Sequence, residues 1–385
     1  MNKRIGTYIT QKTAGEFYKA YIPPKLPPNP PLNMPLLYPY LEKATLHLAE
    51  LNNMANSIPN MSLFIYMYVR KEALLSSQIE GTQSSFSDLI LFDNQQKTEI
   101  SIADVEEVSN YVKAINYGLS RLKDGFPLSL RLLREIHEKL MKGTRGSHAT
   151  PGNFRTSQNW IGGTRPGNAY YVPPPAEYLS QCLSDFEIFL HDKTIPVLIK
   201  AGLAHVQFET IHPFLDGNGR LGRLLITLLL CESGLCKEPI LYFSLYLKQN
   251  RNVYYDLLQQ VRINGTWEIW LEFFLEGISN SAKQALHTAQ EINALFKVDI
   301  SKIESLGRAR FSCVQILEYL KQMPQISVPQ ISRELNMTAP TARSSINHMV
   351  AQGILEEITG KKRDQIYIYR KYLGILEEGA EPFKR

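Results

Sequence analysis

Apolar residues recur at helical spacing along most of the chain between residues 41 and 281. Leu63, Met67, Leu74 and Ile79 lie in a run free of Gly and Pro over 61–80, which predicts one helix with Gly81 as its stop. The same period predicts helices over 99–124, 128–142, 176–192, 196–209 and 220–233, the last carried by Leu221, Leu224, Leu225, Leu228 and Leu229. A further helix-like run covers 253–261. Trp267, Trp270, Phe273 and Phe274 then repeat on the next helix, where an aromatic stripe at this spacing reads as core. Aromatic and β-branched residues at 159–163 and 169–172 flank a Pro-Gly turn and predict a β-hairpin. Eight prolines between Tyr21 and Pro39 predict an extended segment that wraps a surface or links.

The pattern changes after residue 279. Residues 279–305 read as a long, largely polar helix, a linker. Phe311, Val314, Ile316, Leu317, Tyr319 and Leu320 share one apolar helix, 327–335 form a short one, and Thr338 caps a third that runs to about residue 352. Strand-like runs at 354–359 and 365–369 flank the basic tip Lys361-Lys362-Arg363. This order is similar to a winged helix. On duplex DNA, Thr338, Thr341, Arg343, Ser344, Ser345 and Asn347 would face the major groove, with Lys361, Lys362 and Arg363 on phosphates. A domain serving protein contacts or dimerisation alone fits the same residues.

Composition narrows the class. With 385 residues, 44% hydrophobic and 21% charged, the chain is long enough for two or three globular domains. A net charge of +5 does not separate a nucleic-acid binder from a protein that handles triphosphates. The four cysteines, Cys182, Cys231, Cys236 and Cys313, form no C-x-x-C pair and read as buried reduced thiols. Leu224 to Leu230 is too short to span a bilayer and no apolar signal core follows Met1, so a cytoplasmic protein without membrane contact is expected.

The chemistry concentrates in His212-Pro213-Phe214-Leu215-Asp216-Gly217-Asn218-Gly219-Arg220-Leu221-Gly222-Arg223. Gly217-Asn218-Gly219 can turn successive backbone N–H groups to one side as an anion-binding nest. The nest opens onto a helix N-terminus, where exposed N–H groups and the helix dipole favour phosphate. Arg220 and Arg223, three apart on the first turn, can offer planar forks to phosphate oxygens. Asp216 is a hard oxygen ligand suited to Mg²⁺ beside a triphosphate, and His212 has the pKa range of a base at neutral pH.

This run resembles the signature of the Fic (Fido) family, His-x-Phe-x-Asp/Glu-Gly-Asn-Gly-Arg-x-x-Arg, at every defined position. The resemblance implies a mainly α fold: a Fic-type helical core with a β-hairpin flap, followed here by the small winged helix. It implies a protein adenylyltransferase that moves AMP from ATP to a Ser, Thr or Tyr hydroxyl of a target, or of itself, and releases pyrophosphate. His212 would be the general base and Asp216 the Mg²⁺ ligand. Gly217, Asn218 and Gly219 would cradle phosphates, Arg220 and Arg223 would grip the triphosphate, and Leu221 and Gly222 complete the binding run. Phe214 would be a core anchor. Related Doc toxins phosphorylate and carry a larger residue in place of the second glycine, so Gly219 favours adenylylation.

Ser76-Ser77-Gln78-Ile79-Glu80-Gly81 resembles the family's inhibitory motif, Ser/Thr-x-x-x-Glu-Gly/Asn. By that resemblance Ser76, Glu80 and Gly81 form a self-inhibitory element in which Glu80 pairs with Arg223 and denies it to the γ-phosphate. The 159–172 hairpin resembles the family's flap, with Ile161, Gly162, Tyr170, Tyr171 and Val172 holding a target strand beside His212. Arg155 stands at a position usual for the family and reads as structural. Gln249 and Tyr254 are candidates for the adenosine side of the site. The expected organisation is a proline-rich segment at 1–40, an inhibitory helical region at 41–110, the Fic core at 111–280, a linker helix at 281–306 and the winged helix at 307–385. Two other readings stay open: a DNA-binding regulator with a nucleotide-sensing core, and removal of AMP from proteins by the same site. Homodimerisation is left open too.

Overall fold

The computed structural model describes residues 4–13, 15–55, 61–93, 102–143, 150–361 and 363–382. It opens on an antiparallel hairpin, β1 (Thr7–Thr13) and β2 (Glu16–Ile22), with Tyr8 opposite Tyr21 and Gln11 opposite Tyr18. The expectation of a purely proline-rich segment missed this hairpin. The two-residue alternation is in the sequence: Tyr18 and Ala20 are buried while Phe17 and Lys19 face out. The proline run expected to be extended instead bends at 26–27 and at 29–30, where the Leu26–Pro27 and Asn29–Pro30 bonds are cis, and then leads into α1 (Met34–Ala55), which takes Pro35 into its first turn and Pro39 into its body.

The helices α2 (Met61–Ile79), α3 (Phe86–Asp93), α4 (Ile102–Lys123), α5 (Leu130–Leu140), α6 (Ala176–Leu190), α7 (Val197–Ile211) and α8 (Asn218–Glu232) follow. Six of them, all but α3, fall on predicted spans, though residues 99–101 of the expected 99–124 helix lie outside the described residues. The central element is α7, in which every residue from 201 to 211 is buried. Its apolar residues circle the helix rather than forming a stripe, as a helix packed on all sides requires. His205, buried within it, is satisfied by the Gly222 carbonyl (3.0 Å from Nδ1) and the Tyr254 hydroxyl (2.9 Å from Nε2).

Next come α9 (Ser244–Gln249), α10 (Arg251–Asn264) and α11 (Trp267–Glu304). The last is one unbroken helix of 38 residues, so 281–306 continues a core helix instead of forming a separate polar linker. Ala285, Ala289, Ile292, Phe296 and Ile303 form its buried stripe. The C-terminal unit comprises α12 (Arg310–Gln322), β3 (Gln325–Ser327), α13 (Val328–Glu334), α14 (Ala339–Ala351), β4 (Glu356–Glu357), β5 (Ile366–Ile368) and α15 (Arg370–Glu377). Its sheet has the order β3-β5-β4, both pairs antiparallel. This is a winged helix whose wing strands are shorter than expected. Ser345 was expected on the groove-facing side of α14; it is buried, its hydroxyl 2.7 Å from Ser312 Oγ. Lys362 lies outside the described residues.

The end of the chain returns to the core. Tyr369 donates to Asp299 of α11 at 2.6 Å, and the backbone past α15 reaches α2. Gln78 donates through Nε2 to the carbonyls of Ser84 and Ala380, both at 2.9 Å, and accepts from Lys248 Nζ at 2.7 Å. Lys248 also donates to the Glu381 carbonyl. Gln78 is fully buried, so Gln78→Leu strips three groups of their partner in a dry setting. That change is expected to cost ~3 kcal/mol or more, a fall in melting temperature of roughly 5 °C or more by calorimetry. An unchanged melting temperature would show that the tail contributes nothing to stability.

Candidate functional site

The site is built where α7 stops and α8 starts. His212 ends α7 in the left-handed conformation, φ 49°, which turns the chain sharply at the C-cap. The bend is held from outside. Arg155, buried, donates to the carbonyls of His212 (2.9 Å), Ser157 (3.1 Å) and Pro174 (2.5 Å). Asn159 donates to the carbonyls of His212 (3.2 Å) and Phe214 (2.9 Å). Phe214 is buried and stacks on His137 with centroids 3.7 Å apart. His137 accepts from the Gly152 N–H at Nδ1, so its Nε2–H donates to the Asp216 carbonyl at 2.9 Å. Burial takes this imidazole down to about 4, which keeps it in that neutral form.

Gly217 caps α8 at φ 77°, a conformation glycine adopts without steric cost. Asn218 folds back onto the loop, its amide bridging the N–H and C=O of Phe214 at 2.9 and 2.8 Å. Its side chain therefore braces the bend, and only its backbone is left for a ligand. Gly219 sits beneath Glu80: a Cβ there would stand 2.2 Å from Glu80 Oε1. Arg220 is buried and directed to Glu107 at 3.4 Å, with Asp216 at 4.0 Å.

Arg223 is fastened by three bonds to α2 and the residue just past its end. Its Nε donates to Ser76 Oγ (2.8 Å), and Nη2 donates to the Ser76 carbonyl (3.0 Å) and to Glu80 Oε1 (2.6 Å). The arginine side chain is 1% exposed whereas that of Glu80 is 38% exposed, so the carboxylate stands at the mouth and the guanidinium behind it. Burial pushes the Glu80 carboxyl up, but the Arg223 guanidinium outweighs it and holds the group below its usual range. His212 is pushed down to about 3 by burial and then by Arg262 and Arg155, so in this closed form it is neutral but a weaker base than the free imidazole expected from the sequence.

Two chambers meet at Glu80, His212 and Gly219. One, about 340 Å³, is polar and is walled by Gly81, Thr82, Glu107, Asp216 and the first residues of α8. The other, about 540 Å³, is walled by Trp160, Ile161, Tyr170, Arg251, Tyr254 and Tyr255. Such a pair suits a ligand with a charged and an aromatic end. Asp216 offers the polar chamber a half-exposed carboxylate. Among the described residues no group of three His, Cys, Asp or Glu could hold a metal unaided. One carboxylate beside the N-terminus of α8 fits Mg²⁺, which would keep waters and phosphate oxygens as its other ligands.

Other candidates are placed as follows. Leu221 is core, and Gly222 lies against Glu209. Tyr254 lines the aromatic chamber with its hydroxyl committed to His205. Gln249 is a correction: it is exposed, walls neither chamber and lies beside Gly379 of the tail, because α9 turns its last residue away from the cleft. The expected flap hairpin reduces to one bridge, Ile161 to Tyr171, with a short 3-10 turn, Pro166–Asn168, at its tip. Tyr170 and Gly162 are exposed. Tyr171 points inward, donating to the Thr210 carbonyl at 2.8 Å, and Val172 packs on Tyr18 and Ala20. The Tyr21 N–H donates to the Val172 carbonyl at 3.0 Å, so β2 backs the flap. Glu107, Glu209, Arg251 and Arg262 line the cleft without having been singled out in the sequence; each is an ordinary helix residue by pattern and only the packing brings it there.

Residues 38–120 match the family model described as Fic/DOC family N-terminal, 127–230 the Fic/DOC family, and 314–356 the winged helix-turn-helix DNA-binding family. The chain is 32% identical over 165 residues to the protein adenylyltransferase Fic of Drosophila yakuba. To that of Aedes aegypti it is 35% identical over 168 residues. Each alignment covers 41% of this chain and 30% of the relative, so the chain spans under a third of those proteins. A Fic family protein from Desulfovibrio desulfuricans G20 superposes over 86% of this chain and 96% of its own, with a TM-score of 0.54 and 19% identity. Fic-1 from C. elegans does so over 67% and 75%, with a TM-score of 0.50 and 21% identity. At these identities the likeness speaks for the fold.

Proposed function

From a chain that carries a Fic/DOC-family N-terminal region and a Fic/DOC-family domain, we propose a protein adenylyltransferase held off by its own Glu80. The observation that carries this reading is the Glu80–Arg223 pair, 2.6 Å long, lying over Gly219 at the head of α8 with His212 in the same cleft. ATP enters with its phosphates on the α8 N-terminus and its adenosine in the aromatic chamber. Mg²⁺, when bound, supplies charge neutralisation of the phosphates, with Asp216 as its protein ligand. His212 takes the proton of a target hydroxyl, whose oxygen attacks the α-phosphorus as pyrophosphate leaves. The exposed flap residues Tyr170 and Gly162 border the aromatic chamber and are placed to meet the target segment. Such an enzyme belongs in the cytoplasm, where ATP is supplied.

Arg223 cannot serve Glu80 and a γ-phosphate together, so the resting form is nearly silent. The test is to incubate the full chain, with Glu80 intact and replaced, with ATP and Mg²⁺, and to follow pyrophosphate release and the intact mass. One AMP added per pyrophosphate released is expected. Release of ADP with a phosphorylated protein would overturn the reading. The winged helix supports a second role in which nucleic acid is bound, with Arg343 and Arg363 bordering one groove beside α13.

A further inference from the structure

We propose that Glu209 positions His212: its carboxylate receives the Nδ1–H of the imidazole, leaving the Nε2 lone pair for the target's hydroxyl proton. This rests on the adenylylation reading and deepens it at the same site. Glu209 lies on the last turn of α7, and His212, three residues on, is the left-handed C-cap that ends it. Glu209 Oε2 stands 4.0 Å from His212 Nδ1. His212 Nδ1 and the other oxygen of the carboxylate, Oε1, are both buried and neither makes a well-formed hydrogen bond; the Glu209 main-chain carbonyl, which also acts on the ring, already accepts from Arg262. Buried polar atoms left unpaired are rare, and catalytic hydrogen bonds are often long before substrate arrives. One small side-chain rotation would close this gap.

The neighbours leave the carboxylate to His212. Arg262 of α10 spends its guanidinium on Thr210 Oγ1 (3.2 Å), the Glu209 main-chain carbonyl (3.3 Å) and Gln259 (3.3 Å). Arg223 of α8 is committed to Ser76 and Glu80. The helix α8 makes room for the acid, since a Cβ at Gly222 would lie 2.4 Å from Glu209 Oε1. The charged groups facing Glu209 are Arg223, Glu80 and Arg262, and those facing His212 are Arg262, Arg155 and Glu80. Burial takes Glu209 up to about 7, with Glu80 adding to the rise. Withdrawal of Glu80 removes a like charge and favours the ionised carboxylate just when the site becomes active. In the step itself the hydroxyl proton passes to Nε2, the Nδ1 proton stays shared with Glu209, and the resulting imidazolium is stabilised by that carboxylate. Glu209 touches neither nucleotide nor target; it acts through His212.

The test uses the full chain with Glu80→Gly, alone and with Glu209→Gln. Adding Glu209→Gln is expected to lower kcat ~10-fold or more at mildly alkaline pH, with KM for ATP within ~2-fold. The rise in rate through neutral pH that follows Glu209 ionisation should vanish in the Gln variant. Independently, ¹⁵N NMR of the imidazoles should show His212 protonated at Nδ1, with the balance moved towards Nε2 by Glu209→Gln. Unchanged kcat and pH profile, or an unchanged tautomer, would overturn the inference. If Glu80→Gly with Glu209 intact transfers no AMP, the adenylylation reading fails, and the tautomer spectra still decide whether the pair exists.

Discussion

Replacing Glu80 with glycine is expected to raise AMP incorporation by ~100-fold or more, the scale set by ~3 kcal/mol for the charge-assisted bonds that a freed Arg223 can make to the γ-phosphate. The reasoning starts from burial. Arg223 is out of reach of water and cannot lose its charge, so without Glu80 it needs another anion. The γ-phosphate is the anion the site would supply. Two of the arginine's three bonds come from Ser76, which holds the guanidinium in place after the carboxylate is gone. Release should therefore free the charge without scattering the side chain. Arg223→Ala added to Glu80→Gly should then be inactive, a non-additivity expected of residues in one network. Radiolabelled-AMP incorporation by wild type, both single variants and the double variant decides the matter. Equal labelling of wild type and Glu80→Gly would sink the lock, and a fully active double variant would sink the role of Arg223.

The second large effect separates proton transfer from nucleotide binding. In the Glu80→Gly chain, His212→Ala should lower transfer by ~10²–10⁴-fold, the usual range for a general base, while ATP affinity stays within ~2-fold. The ring contributes neither to the α8 N-terminus nor to the bend, which hangs on main-chain bonds to Arg155 and Asn159. Asp216→Ala should do the reverse in binding, weakening the Mg²⁺-dependent part of ATP affinity. Among the described residues the carboxylate accepts only one local bond, from the Gly217 N–H at 2.6 Å, while the loop is also held through the Asp216 carbonyl by His137, so most of the bend's support outlasts the substitution. Calorimetric titration of ATP with and without Mg²⁺, beside the transfer assay, reads both. Full transfer by the His212 variant would remove the base from the mechanism.

The signature was legible because its chemistry is local: within twelve residues the bend, the nest and the helix start follow from glycine placement and leucine spacing. The long helices were legible for the same reason. What escaped depends on distant partners. Nothing local marks Gln78 as a buried hub, since its partners are Lys248 and Ala380. Ser345 looked groove-facing by helical period, yet the face it occupies is the one against Ser312. Gln249 was placed by resemblance, and the direction of a six-residue helix decides otherwise. The flap was overread as strands: its inward side chains, Tyr171 and Val172, serve packing, and its backing comes from a hairpin 150 residues earlier, Tyr21 to Val172 being its backbone link.

Glu80 and Arg223 lie 143 residues apart, and the carboxylate comes first in the chain. Domains form from the N-terminus as a polypeptide leaves the ribosome. The plug is thus already translated when the nest and its arginines emerge, and the cleft closes around it as it assembles. Of the groups that hold Gln78, Ser84 follows it closely, whereas Lys248 and Ala380 come 170 and 302 residues later. A nascent copy therefore carries Glu80 well before the arginine it pairs with is made.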